Sequence, residues 1–164
     1  MATLKNFNTA LYIMRLDAGC KYDGLLKIGI SNNVERRAKE VGSVSVEWND
    51  TYRAPRAVVM ATEMLAQCYA YLKVGRPKNF RKALPVRSGS SEFFKTDNIS
   101  QARGFVFAAK KFVARFSDLD ISEQVKQIVL WVKYKFSKAK KRLPQSFNLE
   151  VTRIYQTLEQ EKAA

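Results

Sequence analysis

The sequence predicts an α/β fold of the α+β type: a small, mainly antiparallel sheet flanked by helices, followed by an all-helical C-terminal extension. Three observations carry this. Residues 10–16 and 25–30 are short apolar runs around a loop, Asp17 to Gly24, that holds two glycines and two aspartates, a hairpin pattern. Helix and strand signals then alternate as far as Phe94. From Asp97-Asn98 onward only the helical period remains.

Taken in order, Ala10 to Leu16 and Leu25 to Ile30 form the first two strands. Asn32 or Asn33 caps a helix that runs through Val41 and stops at Gly42. Val44, Val46 and Trp48 alternate, which predicts a third strand. Pro55 is placed as the first residue of a long helix ending at Gly75. Residues 73–87 form a basic loop with two prolines, carrying Lys73, Arg76, Lys78, Arg81, Lys82 and Arg87 and no acid. Glu92-Phe93-Phe94 reads as a short last strand. Helices are expected over 99–115, over 121–142 with Ile121, Val125, Ile128, Val129, Val132 and Phe136 on one face, and over 148–162 after Pro144. The domain boundary falls near 97, giving a mixed domain over 9–97 and a basic helical extension over 98–164 that packs on it.

The 164 residues suit one domain, or a small domain with an extension. No apolar run approaches the roughly 20 residues of a membrane span, and Met1-Ala2-Thr3 begins no signal peptide. Cys20 and Cys68 stand far apart without metal or disulfide spacing, so two reduced thiols in a cytoplasmic protein are expected. A net charge of +14 points to a polyanion, with nucleic acid ahead of an anionic membrane. The chain has no histidine, which excludes an imidazole base, a His-ligated zinc and any Ser-His or Cys-His nucleophile. Any metal would have oxygen ligands, favouring Mg²⁺ or Mn²⁺ over Zn²⁺.

Several residues stand out individually. Glu63 is the only charged residue between Ala57 and Leu72. Either that helix is buried and Glu63 has a cation or metal as partner, or Glu63 shares an exposed strip with Thr62 and Gln67. Tyr12 alone reads as a half-buried strand aromatic, and Lys27 as an outward-facing edge lysine. Arg36 and Arg37 alone read as a solvated helix face, and Asn32-Asn33 as a cap.

In combination they say more. The order LYI, KIG, Asn with an ERR helix, an isolated helical Glu and then EFF resembles the GIY-YIG nuclease superfamily, closest to the phage-type branch with a KIG second motif. The resemblance covers roughly residues 9–97. It implies that Tyr12 stands for the first-motif tyrosine, the general base towards the attacking water, and that Lys27 replaces the second tyrosine. Gly29 closes the second motif, where a side chain would crowd the neighbouring backbone. Arg37 would bind the scissile phosphate, and Glu63 would be the single protein ligand of a divalent cation, Mg²⁺ or Mn²⁺. Asn32, Glu92 and Phe94 would be structural motif positions. The first motif departs from the family in reading ALY, with Ala10 in place of glycine. Lys27 supplies a cation able to depress the pKa of Tyr12 or to hold a phosphate.

Independently of the family, residues 126–142 carry Lys126, Lys133, Lys135, Lys138, Lys140, Lys141 and Arg142 with no acid. Such a face would repel itself without a polyanion. With Arg36, Arg76, Lys78, Arg81 and Lys82, these residues are the expected nucleic-acid contacts. Trp131, Tyr134 and Phe136 are read as core. The expected function is therefore a metal-dependent DNA endonuclease of phage or mobile-element origin, with RNA left open as a substrate. Its rivals are a non-catalytic nucleic-acid binder on the same scaffold and an inhibitor of a host defence protein.

Overall fold

A computed structural model describes residues 8–78 and 84–163. It is an α+β fold. The sheet has four antiparallel strands, β1 (Ala10–Leu16), β2 (Leu26–Ser31), β3 (Val44–Thr51) and β4 (Phe93–Phe94), in the order β3-β1-β2-β4. The helices are α1 (Val34–Val41), α2 (Arg56–Lys73), α3 (Ile99–Ala114), α4 (Ile121–Lys138) and α5 (Gln145–Ala163). No helix among the described residues is long and apolar enough to cross a membrane.

Alternation along β1 and β2 divides the molecule. Leu11, Ile13, Leu26 and Ile28 join the main core with Ala57, Val58, Ala61, Met64 and Leu65 of α2. On the opposite face, Leu16 of β1 and Phe93 of β4 join a smaller cluster with Val41 of α1 and Leu84. Both faces of the central strands are thus covered, which explains why β1 is apolar at nearly every position. Helix α2 is the hub, since α3, α4 and α5 all pack on it and share its core. The extension is therefore continuous with the sheet domain's core.

The elements end where local chemistry ends them. Asn33 is the cap of α1, its Oδ1 accepting from the Arg36 amide at 3.0 Å, and Gly42 closes the helix at φ 79°. Pro55 precedes α2 as its cap residue and offers no side-chain oxygen. The Ala57 amide instead donates to Glu161 Oε1 of α5 at 2.6 Å, so a distant carboxylate satisfies the helix start.

Several boundaries differ from the sequence reading, among them that Pro55 is the cap rather than the first residue of α2, which ends at Lys73 rather than Gly75. The helix expected over 121–142 stops at Lys138, and Lys140 takes φ 55°. Lys140, Lys141 and Arg142 therefore follow the helix in a left-handed C-terminal turn, closed by the Lys141 amide donating to the Phe136 carbonyl at 3.0 Å. Helix α5 starts at Gln145 rather than 148, because the Pro144 carbonyl already accepts from the Phe147 amide at 3.0 Å. Glu92 closes a 3-10 turn, Ser90–Glu92, leaving a strand of only Phe93–Phe94. Arg81 and Lys82 lie outside the described residues.

Candidate active site

Tyr12 on β1 is paired directly with Gly29 on β2, and Met14 with Lys27, so Tyr12 and Lys27 share one face of the sheet. Gly29 is what makes room there. A Cβ at Gly29 would lie 2.8 Å from Tyr12 Cε1, with the hydroxyl closer still. The sequence expectation of a crowded backbone is thus corrected: the crowded group is the Tyr12 side chain. Gly29→Ala should lower the stability by about 1–3 kcal/mol through overpacking, read as a shift of the urea midpoint. A wild-type midpoint would show that the Tyr12 ring is free to move.

Lys27 is not an edge lysine. Strand β2 lies between β1 and β4, and the Lys27 side chain is 0% exposed. Its Nζ forms an ion pair with Glu92 Oε2 and lies 5.5 Å from the centre of the Tyr12 ring. Gly89, in the left-handed region at φ 72°, lets the chain approach this group. A Cβ there would meet Lys27 Nζ at 2.6 Å, Arg37 Nη2 at 3.1 Å and Glu92 Oε2 at 3.2 Å. Those three groups therefore converge over Gly89. Arg37, projecting from α1, also donates to Ser88 Oγ at 3.0 Å and to the Tyr12 hydroxyl. Arg36 is exposed and pairs loosely with Glu40 at 3.6 Å, the carboxylate that Arg37 also meets at 3.6 Å.

Glu63 is 6% exposed, and Thr62 and Gln67 are buried with it, so the exposed-strip alternative is excluded. Glu63, Glu92 and Arg76 line a cavity of about 160 Å³ whose far wall is α5, through Glu150 and Arg153. Burial first, and then Glu150, push the Glu63 carboxyl up to about 8, against Lys27, Arg56 and a hydrogen bond from the Ile30 backbone. Burial, followed by Arg37, pushes the Lys27 amine below the usual lysine range. Glu63 acts the other way. Burial and then Glu63 raise the Tyr12 phenol to about 12, against its hydrogen bond from Arg37. The expected depression of Tyr12 by Lys27 is therefore corrected: at neutral pH Tyr12 is a protonated phenol.

Of the three carboxylates on this small polar cavity, Glu92 is paired with Lys27 and Glu150 with Arg153, which leaves Glu63 as the donor for a divalent cation. No group of three or more ligating side chains gathers among the described residues. Glu63 suits a hard ion that takes one protein ligand and completes its shell with water and phosphate oxygens, as Mg²⁺ does. Binding would have to displace the proton that burial favours on Glu63.

The remaining sequence-derived residues divide. Asn32 is not a cap. Its Oδ1 accepts from Thr9 Oγ1 and from Arg56 Nη1, both at 2.9 Å, and ties the end of β2 to the start of α2. Phe94 is buried in the main core. Arg76 is not an open loop contact: its guanidinium packs on Tyr71, Phe147 and Phe94, 5.0–5.9 Å from the ring centres, and Nη1 donates to Ser146 Oγ at 3.0 Å. Lys78, Lys133, Lys138, Lys140, Lys141 and Arg142 are exposed. Sequence reasoning missed Arg56, Ser88, Gly89 and Glu150. Only the Ser88-Gly89-Ser90-Ser91 run gave a local signal, that of a tight turn. Compared with family models, curated proteins and solved structures, the chain matches none of them.

Proposed function

We propose that the protein is a metal-dependent DNA endonuclease of the GIY-YIG kind. One observation carries this reading: Tyr12, Lys27 and Arg37, from β1, β2 and α1, converge around Gly89 and Glu92, and Glu92 lines one polar cavity together with Glu63 of α2. Glu63 is the residue to hold Mg²⁺ or Mn²⁺, which when bound would supply charge stabilisation at the leaving oxygen. The planar fork of Arg37, already fixed by Ser88 and Tyr12, offers donors to the phosphate oxygens. Tyr12, as a protonated phenol, orients the attacking water through its hydroxyl rather than resting as a ready-made base. Lys27 holds Glu92 and fixes the floor of the site.

A second reading rests on burial. Tyr12, Lys27 and Glu63 are all nearly inaccessible, so α5 or the 88–92 segment has to move before a phosphodiester reaches them. A non-catalytic DNA binder would keep this cluster as a structural unit and use only the exposed bases of 126–142. Incubating the protein with supercoiled plasmid and Mg²⁺ or Mn²⁺ separates the two. Nicking that requires the metal, is lost in Glu63→Gln and falls about 10²–10³-fold in Arg37→Ala supports the endonuclease. Tight binding without cleavage in either metal would establish the binder instead.

A further inference from the structure

Outside the sheet site, three aromatic rings stack where α3 meets α4. Phe112 stacks on Trp131 at 4.9 Å and 15°, and Trp131 stacks on Tyr134 at 5.3 Å and 25°. Phe112 is buried, Trp131 half-buried, and Tyr134 is 50% exposed, so the stack runs from the core to solvent. It is also held rigid. Trp131 Nε1 donates to Tyr69 Oη at 3.0 Å, which fixes the middle ring. Reading Tyr134 as core is thereby corrected, while Trp131 packs half-buried against the main core and Phe136 is buried in it: the stack ends in a solvent-exposed aromatic face.

The surroundings are cationic. Arg115 lies 5.5 Å from the Phe112 ring centre and Lys135 lies 5.1 Å from that of Trp131. Lys133 and Lys138 are exposed on the same helix as Tyr134. Helix α3 carries no carboxylate, and none occurs from Gln124 to Leu149; acids are confined to the α3–α4 turn and the first turn of α4. Arg115, Leu130, Trp131 and Tyr134 border a cleft of about 290 Å³. An exposed ring beside lysines and arginines suits a ligand with a flat π-face and attached negative charge. A nucleobase with its phosphates has both. Duplex DNA hides its base faces in the stack, whereas a single strand offers them.

We propose that the α3–α4 face binds single-stranded nucleic acid by stacking an unpaired base on Tyr134, with Arg115, Lys133 and Lys138 taking the flanking phosphates. The site is separate from the Glu63 cluster and works without metal or cleavage. Tyr134 supplies the sequence-tolerant contact, and the bases supply salt-dependent affinity.

The test uses the full chain in EDTA, with fluorescein-labelled oligo-dT and oligo-rU of about a dozen nucleotides and a duplex of the same length. The wild type should bind the single strands, and in the Trp48→Phe variant, where Trp131 is the sole tryptophan, its fluorescence should be quenched on binding. Tyr134→Ala should weaken single-strand binding roughly five- to a hundredfold, while duplex binding stays unchanged and Tyr134→Phe retains wild-type affinity. A preference for oligo-dT or oligo-rU identifies the natural strand. Unchanged single-strand affinity in a folded Tyr134→Ala variant would overturn the proposal, as would equal loss on single strand and duplex, or a wild type that ignores both oligonucleotides. Because metal is absent, none of these outcomes depends on whether the protein cleaves DNA.

Discussion

Lys27→Met is expected to destabilise the protein by about 3–5 kcal/mol, the cost of breaking a buried ion pair by removing one partner. Lys27 is 0% exposed and Glu92 retains 24% of its side-chain exposure, so water relieves part of the penalty on the carboxylate. The lower end of that range is therefore the better expectation. Methionine has a similar reach, so the loss reports charge rather than a cavity. The double variant Lys27→Met with Glu92→Leu should recover much of the loss, because replacing both partners with apolar groups removes the desolvation cost on both sides. Equilibrium urea unfolding of the wild type, both single variants and the double variant gives the coupling energy directly. A single variant within about 1 kcal/mol of wild type would mean that Glu92 turns to solvent or takes a proton when Lys27 is absent.

The sheet was legible because its residues alternate and its turns are built from glycine, aspartate and asparagine, signals that act within a few residues. The first three strands and the α2 helix follow from them. The value of Lys27 was harder to see. A lysine in an apolar strand looks the same whether it faces solvent or a glutamate partner, and Glu92 is 65 residues away in sequence. Glu63 was flagged correctly as a lone charge in an apolar helix, but its neighbour Glu150 comes from the last helix, where no local pattern marks it. The same holds for Glu161 at the start of α2. Helix ends failed for a different reason: Lys138 to Arg142 are good helix formers, and the helix ends instead at a left-handed Lys140, with the Lys141 amide donating to the Phe136 carbonyl at 3.0 Å, where no glycine signals the stop. Tyr134 misled because an aromatic residue at helical spacing reads as core, and nothing in spacing says that a stack reaches the surface.

Phe147→Ala is expected to cost about 3–5 kcal/mol, and it should do so by loosening α5. Phe147 is buried, and its ring lies 5.2 Å from Phe136 and 6.0 Å from Tyr71, with the Arg76 guanidinium at 5.3 Å. These contacts seat the first turn of α5 against α2 and α4, while Glu161 holds its other end at the Ala57 amide. Removing the ring leaves a cavity that polar Ser146 and Arg76 cannot fill with apolar contact. Hydrogen exchange should show α5 amides losing protection before those of β1, β2 and α2, since the main core under the sheet keeps its own contacts. The same variant reads the site. Glu150 and Arg153 move with α5, so Glu63 loses both the like charge and much of the burial that push its carboxyl up to about 8. Its titration, followed by carboxyl carbon NMR, should move down towards the ordinary glutamate range. If Phe147→Ala leaves the Glu63 titration where it is in the wild type, then α2 and the sheet alone bury that carboxylate, and α5 does not control access to it.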